Sequence, residues 1–163
     1  MKTLILIRHG KADWLAGLPD RERPLSERGA NDARLMANVL QREAYSPEMI
    51  YVSSAVRTRQ TAEILAQDMH LKPESLLNCP ELYLCSAETM IETIELAPET
   101  LQCIAIIGHN PGISEVAGHY CQQSYVEMPT LGTFISKFDC DSWDELSRDN
   151  KVERHFFYPK LFK

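Results

Sequence analysis

No stretch of the 163 residues approaches the roughly 20 apolar residues of a membrane span. The amino terminus, MKTLILI, begins like a leader peptide, but its apolar run of Leu4 to Ile7 falls short of the roughly 7–15 residues such a segment needs, and Arg8 ends it. With neither feature, the expected location is the cytoplasm, and no membrane partner is expected. Cysteine is used without pattern. The five cysteines, Cys79, Cys85, Cys103, Cys121 and Cys140, are odd in number and form no C-x-x-C pair or zinc spacing, so they read as reduced thiols. Positive charge is scarce too: a net charge of −6 and a pI near 5.4 argue against a nucleic-acid partner, which calls for a basic surface to displace phosphate counterions. Three nucleophile signatures are also missing. There is no G-x-S-x-G elbow, no C-x5-R loop, and no P-loop with its Lys and Ser/Thr.

What is present suits a folded α/β domain. Hydrophobic residues make up 44% and charged residues 25%, and no repeat, low-complexity stretch or linker divides the chain, so residues 1–163 read as one domain. Leu4 to Ile7 suits a strand buried on both faces. Ser26 is a candidate N-cap for a helix with Ala33, Met36, Ala37 and Leu40 on one face. Met49 to Val52 is a second strand, followed by Ser53 and Ser54 as possible caps of a helix bearing Ala62, Leu65, Ala66 and Met69. Ser86 opens a third helix, with Ala87, Met90, Ile91 and Ile94, that stops near Pro98. Ile104 to Ile107 is a further strand. Asn110 after it reads as an N-cap and Pro111 as the first helical residue, with Ile113, Val116, Ala117 and Tyr120 as the apolar face. Such alternation predicts a mostly parallel sheet covered on both faces. The segments TLGTFISKF and VERHFFYP, joined by the acidic stretch Asp139 to Asn150, predict two more strands paired at one edge.

Open α/β sheets bind ligands at the carboxyl ends of their strands. Three junctions here place a cation or histidine there: Arg8 and His9, then Arg57, then His109. Either histidine alone would be unremarkable. Together with guanidinium forks and helix N-termini they form a site for a phosphate dianion. One unit-charge pair at about 4 Å is worth roughly 4 kcal/mol at an effective dielectric near 20, enough for a few contacts to outweigh the acidity of the whole protein. With no other nucleophile motif, imidazole is the nucleophile, kept neutral by nearby arginines, while the second histidine donates to the oxygens that gain charge. Gly10 would let the backbone approach the ligand. Arg23 in RERPLSERG is a further candidate contact, whereas Arg21, Arg28, Arg34, Arg42 and Arg59 read as solvated.

Taken in order, LIRHGKA, RPLSERG, SSAVRTRQTA, PELY and IIGHNPG resemble the histidine phosphatase superfamily, in particular its small SixA-like branch of phosphohistidine phosphatases. R-H-G alone is weak, but the ordered set is specific. The resemblance implies that His9 is phosphorylated during turnover, with Arg8, Arg57 and His109 completing the pocket. It implies a phosphoglycerate mutase-like, three-layer α/β sandwich, mostly parallel with one antiparallel strand, and no metal ion or other cofactor. A mutase is not expected, because the pattern R-H-G-x-S-x-W-N fails where Leu15 and Ala16 follow Trp14. Glu81 in CPELYL lies where a general acid would be sought, though it equally suits a place flanking the third helix. The SixA-like branch lacks a standard acid, which suits the labile P–N bond of phosphohistidine. The expected substrate is therefore phosphohistidine in a protein, with a small phosphate ester and Glu81 as acid as the alternative. The chain leaves little room for an inserted lid, so the pocket is expected to be open, rimmed by Lys11 to Pro24 and Leu82 to Ser86.

Overall fold

The computed structural model describes Met1–Lys163. The apolar run at the start becomes β1 (Lys2–Arg8), the strand around which the sheet is built. It pairs in parallel with β4 (Cys103–Gly108) and antiparallel with β5 (Thr133–Phe138). On the β4 side lie β2 (Met49–Val52) and β3 (Leu76–Asn78), and beyond β5 lies β6 (Lys151–Phe157), giving the order β3-β2-β4-β1-β5-β6. Only β5 runs against the others, so the mostly parallel sheet with one antiparallel strand stands. Because side chains alternate along a strand, β1 feeds two cores at once. Ile5 and Ile7 pack with Ile50, Ala105 and Ile107 against α1 (Glu27–Arg42) and α2 (Val56–Asp68). Leu4 and Leu6 pack with Ile104, Ile106 and Phe134 against α3 (Ala87–Glu95) and α4 (Gly112–His119). Each of these four β1 residues is no more than 1% exposed, worth about 2 kcal/mol of burial apiece.

Helix periodicity and two of the predicted caps hold. Ser26 and Ser86 accept from the backbone N–H of Gly29 and Thr89, and the apolar faces of α1, α2 and α4 are buried. Other expectations need correction. Ser53 and Ser54 do not cap α2, whose N-cap is Ala55 with no side-chain bond. Asn110 does not cap α4, which begins one residue later than expected, at Gly112. The Asn110 amide donates instead to the Met128 carbonyl, and its oxygen accepts from Ser114. β3 was not anticipated, being a three-residue edge strand with two exposed residues and no periodic signal. β5 lies inside the sheet, leaving only β6 at that edge, and the acidic connection buries Trp143 completely. All five cysteines are free.

After β1 the chain leaves for the α1 face, and after β4 for the α3/α4 face, so a crevice opens where these adjacent strands end. The loop after β1 is pinned there. Ser26 donates to the Lys11 carbonyl from its amide (2.8 Å) and its hydroxyl (2.9 Å), and the Gln60 side chain accepts from the Leu25 amide at 2.8 Å. Gly29 makes this possible, since a Cβ there would collide with the Lys11 carbonyl. Gly29→Ala should therefore cost about 2 kcal/mol, read as a lower urea midpoint. An unchanged midpoint would mean that the loop yields without cost.

Candidate active site

The strand ends converge as the spacing predicts. The His9 amide donates to Gly108 at the end of β4, and Arg8 exchanges backbone bonds with Gly132 and Leu131 at the start of β5. Held between neighbours on both sides, Arg8 and His9 cannot shift independently of the sheet. Leu131 adopts a left-handed backbone (φ 58°) to make that turn, unusual for a bulky residue. His109 follows β4 directly, Arg57 stands in the first turn of α2, and the His9 and His109 ring centroids are 5.1 Å apart. Arg57 is 4% exposed and His109 3%.

Hydrogen bonding identifies the tautomer of each ring. His9 Nδ1 lies 2.8 Å from the Gly10 carbonyl, which can only accept, so Nδ1 carries the proton and Nε2 keeps its lone pair. That lone pair faces Arg57 Nε at 3.4 Å. For His109, Thr58 Oγ1 donates its single proton to a backbone carbonyl, best to Ala55 at 2.7 Å. Ser53 Oγ then donates to Thr58 Oγ1 (2.8 Å) and accepts from His109 Nε2 (2.6 Å). The chain His109–Ser53–Thr58–Ala55 leaves Nδ1 of His109 bare, 3.4 Å from Arg57 Nη2. Both rings thus point a lone pair at one edge of one guanidinium, so in this tautomer His109 Nδ1 carries no proton for the donor role expected of the second histidine. Burial, then the charges of Arg57 and Arg8, lowers His9 to about 4; burial, then His9 and Arg57, lowers His109 to about 3. Both imidazoles are neutral at neutral pH.

The other predicted residues fall in different places. Arg8 Nη1 donates to the Met128 carbonyl at 3.0 Å, while its buried Nε has no partner, and burial pulls the pKa of the guanidinium down. Gly10 is placed for packing: a Cβ would strike Leu25 and Leu131, its amide donates to Thr61, and its carbonyl orients His9. Arg23 lies over the exposed Trp14 ring at 3.6 Å and donates to the Asp13 carbonyl and to Asp20. Glu81 is exposed on the turn Pro80–Leu82, and its carboxylate shares no hydrogen bond with the four converging residues. Arg21, read as solvated, packs over Tyr83 at 4.4 Å.

Three contributors were missed from the sequence. Ser53 had looked like a cap. Tyr83, whose ring meets that of His109 edge-on at 5.4 Å, sat in PELY as an ordinary aromatic. Asp20 lies in the polar loop and showed no periodic signal. Its carboxylate accepts from Arg57 Nη2 (3.0 Å), Tyr83 Oη (2.5 Å) and Arg23 Nη1 (3.1 Å). The Tyr83 bond, then those from Arg57 and Arg23, holds it down to about 2.

An α/β sandwich whose strand ends bring together two neutral imidazoles and two guanidinium groups is suited to receive and transfer a tetrahedral dianion. Comparison with known proteins agrees. The profile of the histidine phosphatase superfamily (branch 1) matches residues 4–115, and the chain belongs to that superfamily. It is 30% identical over 135 residues to the phosphohistidine phosphatase SixA of Escherichia coli K12, covering 82% of this chain and 83% of that protein. The structure of the protein histidine phosphatase SixA complexed with tungstate superposes with a TM-score of 0.83 at 25% identity, over 99% of both chains. A structure from Agrobacterium tumefaciens assigned to SixA gives 0.73 at 27% identity, over 84% of this chain and 92% of the other. The enzyme is accordingly a phosphatase of the histidine phosphatase kind.

Two outcomes follow from the neutral rings. Ser53→Ala removes the acceptor for His109 Nε2 and leaves a buried donor unpaired, so kcat/KM for an aryl phosphate should fall about tenfold; an unchanged value would mean that Ser53 does not orient the ring. Both histidines titrate near 6.5 when unfolded and at about 4 and 3 when folded. The unfolded chain therefore binds more protons as pH falls below 6.5, and stability declines toward pH 4 by up to about 1.4 kcal/mol per pH unit for each ring. Urea midpoints at pH 7 and pH 5 should show the decline, and His9→Gln should remove part of it.

Proposed function

We propose that the enzyme removes phosphoryl groups from phosphohistidine in a protein by way of a covalent intermediate on His9. The observation that carries this is the bare nitrogen of His9, Nε2, facing the edge of Arg57 that also lies against His109. A phosphoryl group in that space would accept from Arg57 Nε and Nη2 and from the unpartnered Nε of Arg8. His9 Nε2 attacks phosphorus, and the bond from phosphorus to the leaving nitrogen breaks with its electron pair going to that nitrogen. The His9 ring becomes a phosphoimidazolium whose proton stays on Nδ1, still donated to the Gly10 carbonyl. Water then attacks phosphorus, the electron pair of the P–N bond returns to Nε2, and phosphate leaves as H2PO4⁻, carrying both hydrogens of the water, one of which it then yields to solvent.

The leaving group decides the substrate class. An alkoxide needs a proton as it departs. The carboxylate that reaches Arg57 is Asp20, held down to about 2 by its donors and so ionised at neutral pH. Tyr83, raised by burial and by its bond to Asp20, is a poor acid. A phosphohistidine that enters protonated on its second nitrogen leaves as neutral imidazole and needs no acid. The name of the E. coli relative points the same way, and the tungstate in the related structure is a tetrahedral oxyanion of the kind this cleft would hold.

Rapid quench with a 32P-labelled histidine-phosphorylated peptide should yield an acid-labile, alkali-stable phosphoenzyme that is absent in His9→Ala. Turnover by the wild type with no labelled protein would contradict the covalent route, and faster hydrolysis of alkyl phosphates than of the peptide would contradict the substrate.

A further inference from the structure

We infer that Asp20 is a positioning residue that sets the phosphate edge of Arg57 by holding its opposite edge. The inference rests on the reading of the cleft as a phosphoryl site and adds a part to it. A guanidinium offers its donors in two forks fixed by its planarity: Nε–H with one N–H of Nη2, and the other N–H of Nη2 with Nη1. In Arg57 the first fork faces the two imidazoles, with 3.4 Å to each. The second is filled by one residue. Nη1 donates to the Asp20 backbone carbonyl at 2.8 Å and Nη2 to its carboxylate at 3.0 Å. Asp20 therefore leaves the phosphate fork free, and by taking both acceptor positions on the far side it stops the guanidinium from turning about its stem.

Burial gives the pairing a second purpose. The Arg57 side chain is 4% exposed, and a guanidinium that deep is costly without a counter-charge, which Asp20 supplies from a position 42% exposed at the mouth. Asp20 is itself fastened. Tyr83 Oη donates to the same oxygen that Arg57 uses, and Arg23, stacked over Trp14, donates to the other. The short helical turn Asp20–Glu22, entered through Pro19, sets the backbone carbonyl in line with Nη1. Two separate segments of the rim thus hold one arginine at the floor. This explains how an open loop can matter to the chemistry while touching neither imidazole.

The alternative role for an acidic group beside an anion site is repulsion, and it predicts the opposite sign. If Asp20 merely opposed anions, removing its charge would tighten oxyanion binding. Under the positioning role, Asp20→Ala should weaken tungstate binding at least tenfold and lower kcat/KM by a similar factor, with a lower thermal midpoint as well because buried Arg57 loses its counter-charge. Asp20→Glu, which keeps the charge and the backbone carbonyl, should recover part of both. Tyr83→Phe, which removes one fastening bond, should give a smaller loss in the same direction. The decisive control is background: in Arg57→Lys, which has no second fork to hold, Asp20→Ala should have almost no further effect on tungstate affinity. Equal or tighter tungstate binding by Asp20→Ala, or an undiminished effect in Arg57→Lys, would overturn the inference. If the wild type bound tungstate in this Asp20-dependent way yet formed no phosphoenzyme, the covalent route would fall and the role of Asp20 would stand.

Discussion

Everything at the crevice turns on one planar guanidinium. Arg57 donates from one edge toward the bare nitrogens of His9 and His109, and from the other to the carbonyl and carboxylate of Asp20. Burial first, and then the charge of this 4% exposed arginine, keeps both imidazoles neutral, and only a neutral ring has the free lone pair that the proposed attack by His9 requires. The supports of the three groups are independent in sequence: the Gly10 carbonyl for His9, the Ser53–Thr58 relay for His109 and the Asp20 turn for Arg57. Each uses an acceptor or a one-way chain of donors, so each ring and the fork have one stable orientation.

The sheet makes that convergence possible. β1 and β4 are adjacent and parallel, while their following segments depart to opposite faces, leaving room for side chains at the shared end. The motif residues around Arg57 divide between chemistry and construction. Arg57 enters the cleft, whereas Gln60 and Thr61 bind the Leu25 and Gly10 amides and so fasten the loop that follows β1. An acidic chain, with a net charge of −6, can still hold an anion because the positive charge is gathered in one low-dielectric place.

The sequence revealed the parts that depend on regular repetition. Alternating apolar runs disclosed the layers, and the positions after each run disclosed Arg8, His9, Arg57 and His109, because a strand end is a definite place in an α/β sheet. Nothing in the order of residues showed that Ser53 faces His109 instead of capping α2, since both roles use the same hydroxyl one step from a helix. Asp20 and Tyr83 are separated by 63 positions and meet only because the fold brings two irregular segments together. β3 was invisible for a related reason: a short exposed edge strand carries no alternation. Gly10 was noticed as a place where the backbone could approach a ligand, and its neighbours Leu25 and Leu131 show that a Cβ there would also lack space.

The protonation state of His9 is the central point, and ring 15N shifts measured by NMR test it directly. At neutral pH the ring should be uncharged, protonated on Nδ1 and bare on Nε2, with a titration midpoint near 4. A doubly protonated ring at neutral pH, or a proton resident on Nε2, would contradict it.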